Sequence, residues 1–331
     1  MISRAPPARH ARRRSAGNRG QTTPPARRSP GGAGPRGARR SAFRWTLGRG
    51  SPIFGRMKLT GIAAETVQIV SRGEYTAPSG ATVRIRDRVL TAVKGTALYR
   101  PGSLDTWEPK ERLERPASIE VTGETTGAAG RRLVEQEGEA RVAALNFASA
   151  KNPGGGFLRG AKAQEEDLAR CSALYACLVE QREYYDQNRA SGSFLYTDHL
   201  IYSPDVPFFR DEQHNLLERP IALSIITAPA PNAGEARERD EGVEQDIRAA
   251  LERRAAMVLA AAGAHGHRCL VLGAWGCGVF RNDPGEVADV FARWLEHPRF
   301  RGAFSRVVFA VYDRGADQPN YRAFRDRFAG A

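Results

Sequence analysis

The residues best suited to chemistry are a run of three glycines and, after a gap of seven residues, a Gln-Glu-Glu run. The glycines are Gly154, Gly155 and Gly156, and the glutamates are Glu165 and Glu166. Glycines leave room for a ligand and can turn successive N–H groups toward an anion. Carboxyl groups can donate and accept protons. The spacing therefore predicts a loop that cradles a phosphate or sugar beside acid/base chemistry.

Only one of the two glutamates is expected to enter a ligand crevice. Adjacent residues of a helix point about 100° apart, so the second glutamate would brace the first. A buried carboxyl with a raised pKa can give a proton and take one back from water, which is the chemistry of glycosidic bond hydrolysis. Carboxylates are also favoured in the first turn of any helix, so a purely structural interpretation stays open.

Two further loops follow predicted strands, and we expect them to reach the same crevice. One spans Thr227–Asn232 and the other spans Gly273–Asp283. In open α/β sheets, ligands bind at the carboxyl ends of the strands. The second loop repeats the glycine device with Gly276, Cys277 and Gly278, just ahead of a predicted helix start whose N–H groups favour an anion. Two such loops suit a diphosphate better than one phosphate, although a glycine run alone is as often a tight turn.

Aromatic residues beside these loops have two interpretations. Phe157, Trp275 and Phe280 could form the walls of a sugar or base site, or could be ordinary core, which we favour for Trp275. His199 could be a base, but on an apolar strand a packed histidine is more common. Cys277 could be a nucleophile, but a small loop residue is the simpler interpretation.

The pattern of apolar residues predicts an α/β fold with a largely parallel or mixed sheet that helices cover on both faces. We predict strands at 142–147, 199–202, 221–228, 269–273 and 306–311. Predicted helices span 128–137, 164–181, 241–262, 284–296 and 321–328. Ahead of them we predict a helix from Leu59 that Gly73 ends, and then strands at 82–86, 90–97 and 118–122, which indicate an all-β start.

The positive charge of the chain lies almost entirely at its beginning. The 331 residues carry a net charge of +13, but residues 1–56 hold 14 Arg and no Lys, Asp or Glu, so the remainder carries −1. Such an Arg-, Pro- and Gly-rich segment is predicted to be disordered. It would be either a nucleic-acid-binding arm or, as we favour, an inert or over-extended gene start. The neutral remainder argues against a nucleic-acid-binding globular domain.

Cysteine spacing and hydropathy indicate in which cellular compartment the protein is expected. Cys171, Cys177, Cys269 and Cys277 form no CxxC pair and have no histidine at metal-ligand spacing, so we expect neither zinc nor disulfides. The apolar runs are too short to span a bilayer, and no signal peptide opens the chain. We therefore expect a soluble, cytoplasmic protein.

The motifs together resemble those of bacterial-type poly(ADP-ribose) glycohydrolases, which have a macrodomain-like catalytic core. The resemblance rests on Asn146-Phe-Ala-Ser, the triple glycine with Phe157, Gln164-Glu-Glu, and Gly273-Ala-Trp-Gly-Cys-Gly-Val-Phe280, and it runs from about Met57 to the C-terminus. It implies a three-layer α/β/α fold with an N-terminal helix and β extension. The domains would be a tail at 1–56, an accessory region at 57–130 and the catalytic core at 131–331.

The same resemblance implies roles for individual residues. Glu166 would be the general acid/base for the ribose–ribose O-glycosidic bond, and Glu165 would hold ribose hydroxyls. Residues expected at the ribose and diphosphate are Gly154, Gly155, Gly156, Phe157, Gln164, Asn146, Asn152, Gly276, Cys277, Gly278, Val279 and Phe280. Backbone N–H groups would bind the phosphates, so the resemblance implies no metal and no cofactor.

Two positions depart from or only approximate the macrodomain pattern. Ordinary macrodomains carry Asn-Ala-Ala-Asn before the glycine loop, whereas Ser149 replaces the second asparagine here. Asn146 or Asn152 could contact the ribose instead. Thr122-Gly-Glu-Thr125 resembles the Gly-Asp-Ile-Thr of macrodomains, which makes Glu124 a candidate for the adenine amino group.

The resemblance leads to one main hypothesis and two alternatives. The main hypothesis is an exo-acting hydrolase that releases ADP-ribose from poly(ADP-ribose) and works as a monomer. One alternative is a non-catalytic ADP-ribose reader, which would need no paired carboxylate, and a related one is a hydrolase of mono-ADP-ribosylated substrates. Nucleic-acid binding by residues 1–56 is compatible with each of them.

Overall fold

The computed structural model describes residues 58–329, so the basic segment predicted at 1–56 lies outside the described residues. The strands are β1 Glu74–Thr76, β2 Thr82–Arg84, β3 Ala97–Tyr99, β4 Ser118–Thr122, β5 Val142–Phe147, β6 Leu200–Arg210, β7 Leu216–Ala228, β8 Cys269–Leu272 and β9 Arg306–Ala310. The helices are α1 Leu59–Arg72, α2 Arg86–Gly95, α3 Thr126–Glu135, α4 Gln164–Cys171, α5 Leu174–Leu178, α6 Arg182–Ala190, α7 Ala233–Arg237, α8 Glu244–Ala264, α9 Pro284–Glu296 and α10 Pro319–Phe328. A short 3-10 helix spans Phe157–Arg159.

Seven strands form one mixed sheet in the order β3-β6-β7-β5-β8-β9-β4. The strands from β7 through β4 pair in parallel, while β6 runs antiparallel to both β7 and β3. The predicted mixed, largely parallel sheet is thus confirmed. The two remaining strands, β1 and β2, form a separate antiparallel hairpin.

Helices cover both faces of the sheet, because successive side chains of a strand point to opposite sides. On β9, Val307 and Phe309 belong to the core that contains Phe291 of α9 and Leu251 of α8. Val308 belongs to the other core, with Leu133 of α3, Leu168 of α4 and Leu174 of α5. The fold is therefore the expected three-layer α/β/α arrangement.

The opening helix is confirmed, but the all-β start predicted after it is wrong. Helix α1 buries Ala63, Thr66 and Ile69 at a spacing of three and ends at Gly73, whose φ of 74° suits glycine. Most of the strand predicted at 90–97 is instead helical, because α2 extends to Gly95. In this helix Val89 and Ala92 are buried one turn apart while Leu90 remains 48% exposed, so the buried residues follow the helical period.

The single helix predicted at 164–181 is also wrong, because the helix ends at Cys171 and a second helix, α5, begins at Leu174. Ser172 is extended and forms an isolated bridge with Phe208, and its hydroxyl donates to the Leu168 carbonyl at 2.7 Å. The same hydroxyl accepts from Leu174 N–H at 3.1 Å, which starts α5. Contacts with β6 therefore decide where α4 ends.

Strand β6 is longer than the strand predicted at 199–202. The prediction was too short because two prolines lie within the strand. Pro204 and Pro207 lie within Leu200–Arg210, where prolines argue against a strand. The register of its pairing with β7 shifts between Ser203 and Val206, so the strand passes Pro204 by a bulge-like irregularity. The predictions at 142–147 and 284–296 match β5 and α9 in their bounds.

Residues 57–130 do not all lie outside the central sheet. Strand β3 pairs with β6 at one edge of it, and β4 pairs with β9 at the other. The described residues fall within one compact unit, so the division at 130 stays a prediction. Within residues 58–329, no helix has the length and hydrophobicity needed to cross a bilayer.

Candidate active site

The two glutamates lie in the first turn of α4, which follows β5 by way of the triple-glycine loop. Both carboxyl groups are buried, with Glu165 2% and Glu166 8% exposed. No side chain caps the start of α4. Burying two carboxyl groups together is costly unless hydrogen bonds compensate, so their partners identify what the loop does.

Glu165 is held from two sides. Its Oε2 accepts from the Ser149 backbone N–H at 2.7 Å, and its Oε1 lies 3.4 Å from the Asn146 amide nitrogen. Burial, with a smaller contribution from the charge of Glu166, raises the pKa of Glu165 to about 8 against the lowering effect of these hydrogen bonds. At neutral pH Glu165 therefore mostly retains its proton and can donate a hydrogen bond to a sugar hydroxyl.

Glu166 contacts the glycine loop with only one of its oxygens. Its Oε1 accepts from the Gly156 N–H at 2.8 Å. Its Oε2 is buried and has no hydrogen-bond partner among residues 58–329. Because a buried oxygen without a partner is unfavourable, Oε2 is available to a ligand hydroxyl or a water molecule.

Gln164 contacts the protein rather than an open site. Its Oε1 accepts from Phe147 N–H at 2.8 Å, and its Nε2 donates to the Leu145 carbonyl at 2.8 Å and to Thr126 Oγ1 at 3.0 Å. These bonds join the start of α4 to the end of β5 and to the first residue of α3. Gln164 therefore positions the glutamates, and its expected contact with substrate stays a prediction.

The triple glycine wraps around the carboxyl groups. Gly154 and Gly155 have φ values of 64° and 57°. A Cβ on Gly155 would lie 2.3 Å from Glu166 Oε1 and 3.1 Å from Glu165 Oε2, so a side chain there would displace the acids. Phe157, in contrast, is 1% exposed and its ring packs 4.8 Å from that of Tyr175. It supports the loop from beneath.

The two asparagines and Ser149 differ in their surroundings. Asn146 is fully buried and also donates to Thr227 Oγ1 at 3.2 Å, which connects β5 with β7. Asn152 is exposed, and its carbonyl accepts from Gly155 N–H at 3.0 Å. The Ser149 hydroxyl accepts from the N–H groups of Lys151 and Asn152 at 3.3 and 3.2 Å. Ser149 thus shapes the turn, and Asn146 is the asparagine beside the acids.

The second glycine loop follows β8 and packs against the loop after β7. Gly276 has a φ of 75°, and a Cβ there would lie 2.5 Å from the Ala230 side chain. Asn282 closes the loop by donating to the carbonyls of Pro231 and Gly276 at 2.8 and 3.1 Å. Asp283 caps α9 by accepting from Glu286 N–H at 2.8 Å. The helix N-terminus predicted behind this loop is therefore present.

The residues expected to bind in this loop differ in exposure. Val279 is 83% exposed, and the space around a Cβ on Gly278 is open. Burial raises the pKa of the Cys277 thiol, so it is not a ready nucleophile. Trp275 is fully buried and donates from its indole N–H to the Ala228 carbonyl at 3.1 Å, which makes it core.

Phe280 has an aromatic neighbour, Tyr196, in the segment that leads into β6. The rings of Phe280 and Tyr196 lie 5.9 Å apart. Tyr196 has a φ of 60°, which is unusual for a residue other than glycine. His199, also considered as a base, is 8% exposed and its Nδ1 lies 2.8 Å from Thr197 Oγ1, so it is a packed histidine.

Glu124 has an ion-pair partner. Its carboxylate accepts from Arg132 of α3, with Nη2 2.8 Å from Oε2. The fold thus explains the position of Glu124 without a ligand, and its role at adenine stays a prediction.

The fold brings together one group of possible metal ligands that spacing along the chain could not reveal. His214 Nε2 lies 2.9 Å from Asp167 Oδ1, and Cys171 belongs to the same cluster within residues 58–329. Our prediction of no zinc site rested on spacing along the chain, and the fold places His214 in one cluster with Cys171 from a distant position. Burial raises the pKa of the Cys171 thiol well above its usual value, which disfavours the thiolate that a metal requires.

A buried acid pair beside a glycine loop, at the carboxyl edge of a mixed sheet, is the arrangement expected of a glycoside hydrolase. Comparison with family models matches residues 63–211 to the microbial-type PARG catalytic domain. No curated protein matches the chain.

Solved structures extend the match over most of the described residues. The chain is similar to the poly(ADP-ribose) glycohydrolase of Thermomonospora curvata, with 52% identity, a TM-score of 0.78, and coverage of 82% of this chain and 99% of that one. A structure of the same enzyme bound to the inhibitor ADP-HPD matches with 52% identity, a TM-score of 0.75 and the same coverage. The Deinococcus radiodurans enzyme in complex with ADP-ribose matches with 47% identity, a TM-score of 0.70, and coverage of 75% and 100%. The chain belongs to the microbial-type poly(ADP-ribose) glycohydrolase family.

We predict that Gly155→Ala lowers the rate of ADP-ribose release from poly(ADP-ribose) by about 100-fold or more, because the new methyl group displaces both carboxyl groups. Gly192→Ala is the matched control. Gly192 has a φ of 62°, close to that of Gly155, but no atom lies within 4 Å of an added Cβ. If both variants lost the same activity, the cause would be backbone strain and not displacement of the carboxyl groups.

We also predict that Glu165→Gln changes how stability depends on pH. The pKa of Glu165 is about 8 in the folded protein against an ordinary value of 4.5, so its contribution is complete below pH 4.5 and is lost as pH rises through 8. Between pH 5 and 9 the wild type should lose roughly 3–5 kcal/mol more unfolding free energy than Glu165→Gln in urea titrations. The exposed residue Glu180 provides the control, Glu180→Gln, and parallel curves for all three proteins would contradict the prediction.

Proposed function

We propose that this protein hydrolyses the ribose–ribose O-glycosidic bonds of poly(ADP-ribose) and releases ADP-ribose, with Glu166 as the general acid/base. The observation that carries the proposal is the buried acid pair, in which one carboxyl oxygen of Glu166 has no hydrogen-bond partner among the described residues. Membership in the glycohydrolase family supports the substrate class.

The contacts divide the work between the two glutamates. Both oxygens of Glu165 face donors of the protein, namely Ser149 N–H and the Asn146 amide. Glu166 uses only Oε1 in this way. Glu166 therefore serves as the proton carrier, and Glu165 with its retained proton binds ribose hydroxyls.

The reaction then needs two proton transfers through Glu166. In its acid form, Glu166 protonates the ribose oxygen that leaves as the glycosidic C–O bond breaks, and an oxocarbenium-like centre develops on the terminal ADP-ribose. The resulting carboxylate takes a proton from water, whose oxygen bonds to the anomeric carbon. Glu166 ends in the acid form, so the cycle closes without a metal or a cofactor.

The two glycine loops would bind the charged part of the substrate. In the first loop the N–H groups of Gly155 and Gly156 already donate to the protein, so this loop would border the diphosphate. In the second loop the N–H groups of Gly278–Phe280 can donate to it, and the N-terminus of α9 lies behind them. Exposed Val279 would lie at the rim of this loop. Titrating the protein with ADP-ribose measures this binding separately from turnover. The complexes of the two relatives with the inhibitor ADP-HPD and with ADP-ribose support such a site.

We predict that Glu166→Gln retains ADP-ribose binding but releases ADP-ribose from the polymer about 10²–10⁴-fold more slowly, because Gln cannot transfer the proton. Free ADP-ribose is quantified by chromatography, and affinity is measured by calorimetry. Glu165→Gln should weaken ADP-ribose binding as well as turnover. This difference distinguishes Glu165, which binds ribose hydroxyls, from Glu166, which transfers the proton.

Either of two results would overturn this assignment. Full activity of Glu166→Gln would remove Glu166 from the chemistry. A wild type that binds ADP-ribose tightly but releases none from the polymer would instead be a reader. Mono-ADP-ribosylated protein assayed in parallel tests the alternative substrate.

The domain division, the location and the oligomeric state extend the proposal. We propose that the catalytic unit starts at Met57 and acts as a monomer in the cytoplasm. The four cysteines carry free thiols, which supports a reducing compartment.

We predict that a chain starting at Met57 keeps full turnover and the same unfolding midpoint as the full-length chain. The full-length chain is the control. Loss of folding on truncation would contradict the division, and salt-sensitive DNA or RNA binding that only the full-length chain shows would assign a role to residues 1–56.

A further inference from the structure

Arg254 of α8 is a buried cation that takes no part in the proton transfers. It is 2% exposed, and its guanidinium contacts four acceptors in two separate segments, 195–198 and the loop after β7. Nε donates to Asp198 Oδ1 at 2.7 Å, and Nη1 donates to the Pro229 carbonyl at 3.0 Å. Nη2 donates to the Leu195 and Tyr196 carbonyls, at 2.5 and 3.0 Å. A planar fork of five N–H donors suits such a set of acceptors.

The acceptors belong to segments that border the crevice. Pro229 begins the loop after β7, whose neighbour Ala230 packs against Gly276 of the second glycine loop. Leu195 and Tyr196 lie in the segment that enters β6. Asn232 N–H donates to the Phe194 carbonyl at 2.8 Å, so the two segments also bond to each other. Arg254 therefore holds the two segments together by donating to carbonyl groups of both.

The backbone conformation of Tyr196 depends on its hydrogen bond with Arg254. Its φ of 60° costs energy for a residue with a side chain, and such a conformation persists only when its surroundings hold it. Arg254 binds the carbonyls of Tyr196 and of the residue before it. The Tyr196 ring then lies 5.9 Å from the ring of Phe280, the residue expected at the terminal ribose. Together these two rings form what we call the aromatic wall.

The buried charge of Arg254 is compensated locally. Burial alone would raise the pKa of Asp198, but Arg254 and Arg253 lower it, so Asp198 stays ionised. Arg253 binds the other carboxylate oxygen at 2.9 Å, yet its side chain is 58% exposed. Arg253 shares the anion without touching the loop carbonyls, which makes it a matched control.

We propose that Arg254 is a positioning residue that fixes the aromatic wall of Tyr196 and Phe280 and thereby sets affinity for the ADP-ribosyl group without taking part in proton transfer. This inference rests on the proposed function of the same crevice. It predicts that changes at Arg254 act on binding, in contrast to changes at Glu166.

The first test is Arg254→Lys in the full-length protein. Lysine keeps the charge but cannot reach all four acceptors, so KM for the polymer and Kd for ADP-ribose should rise about 10- to 100-fold while kcat stays within about twofold. Arg253→Lys should leave both constants unchanged. A kcat loss as large as the KM rise, or wild-type affinity in a folded Arg254→Lys, would overturn the proposal.

A double-mutant cycle tests whether Arg254 acts through Tyr196. Tyr196→Ala removes one ring of the wall, so Arg254→Lys should weaken ADP-ribose binding much less in that background than in the wild type. Full additivity would overturn the proposal. If Arg254→Lys does not fold, Asp198→Asn weakens the ion pair that orients the Arg254 guanidinium toward the loop carbonyls and should give a smaller affinity loss in the same direction; no loss would count against the proposal.

Failure of this inference is distinguishable from failure of the proposed function. A wild type that releases no ADP-ribose refutes the glycohydrolase assignment, whatever Arg254 does. Wild-type turnover together with unchanged affinity in Arg254→Lys refutes only the positioning role.

Discussion

The burial of two adjacent carboxyl groups at the start of α4 is the constraint on which the rest of this structure depends. Neither carboxyl can be buried without donors, and the loop after β5 supplies them through Ser149 and Gly156 N–H groups. Gln164 joins the helix to β5 with two further bonds and to Thr126 of α3 with a third. The triple glycine is needed for the same reason, since a Cβ on Gly155 would collide with both acids. The loop and the acids are therefore one unit.

Sequence patterns predicted this unit well because its determinants are local. The glycine run, the Gln-Glu-Glu run and the apolar strand before them lie within 25 consecutive residues from Val142 to Glu166. The observed bounds of β5 match the prediction. Helix α9 was equally predictable, because Asp283 and Pro284 mark its start in the sequence.

Features that depend on distant partners were not predictable. Helix α4 ends after Cys171 because Ser172 forms a bridge with Phe208 of β6. No local sequence pattern reveals this contact. Residues 90–97 contain alternating apolar positions, but packing against β6 selects a helix for most of them. Arg254 lies 56 residues from Asp198 along the chain, so its role in the crevice appears only in the fold. The arginine within a helix gave no local signal that could have identified it.

The central sheet separates the two tasks of the site. Helix α4, which bears the acids, packs through Leu168 on one face of the sheet. Helix α8, which bears Arg254, packs through Leu251 on the other face. In the function that we propose, the crevice at the carboxyl edge has its proton carrier on a helix of one layer, and the residue that positions its aromatic wall on a helix of the other. Because each helix is anchored in a different core, a change in one layer can alter proton transfer or ligand affinity without the other.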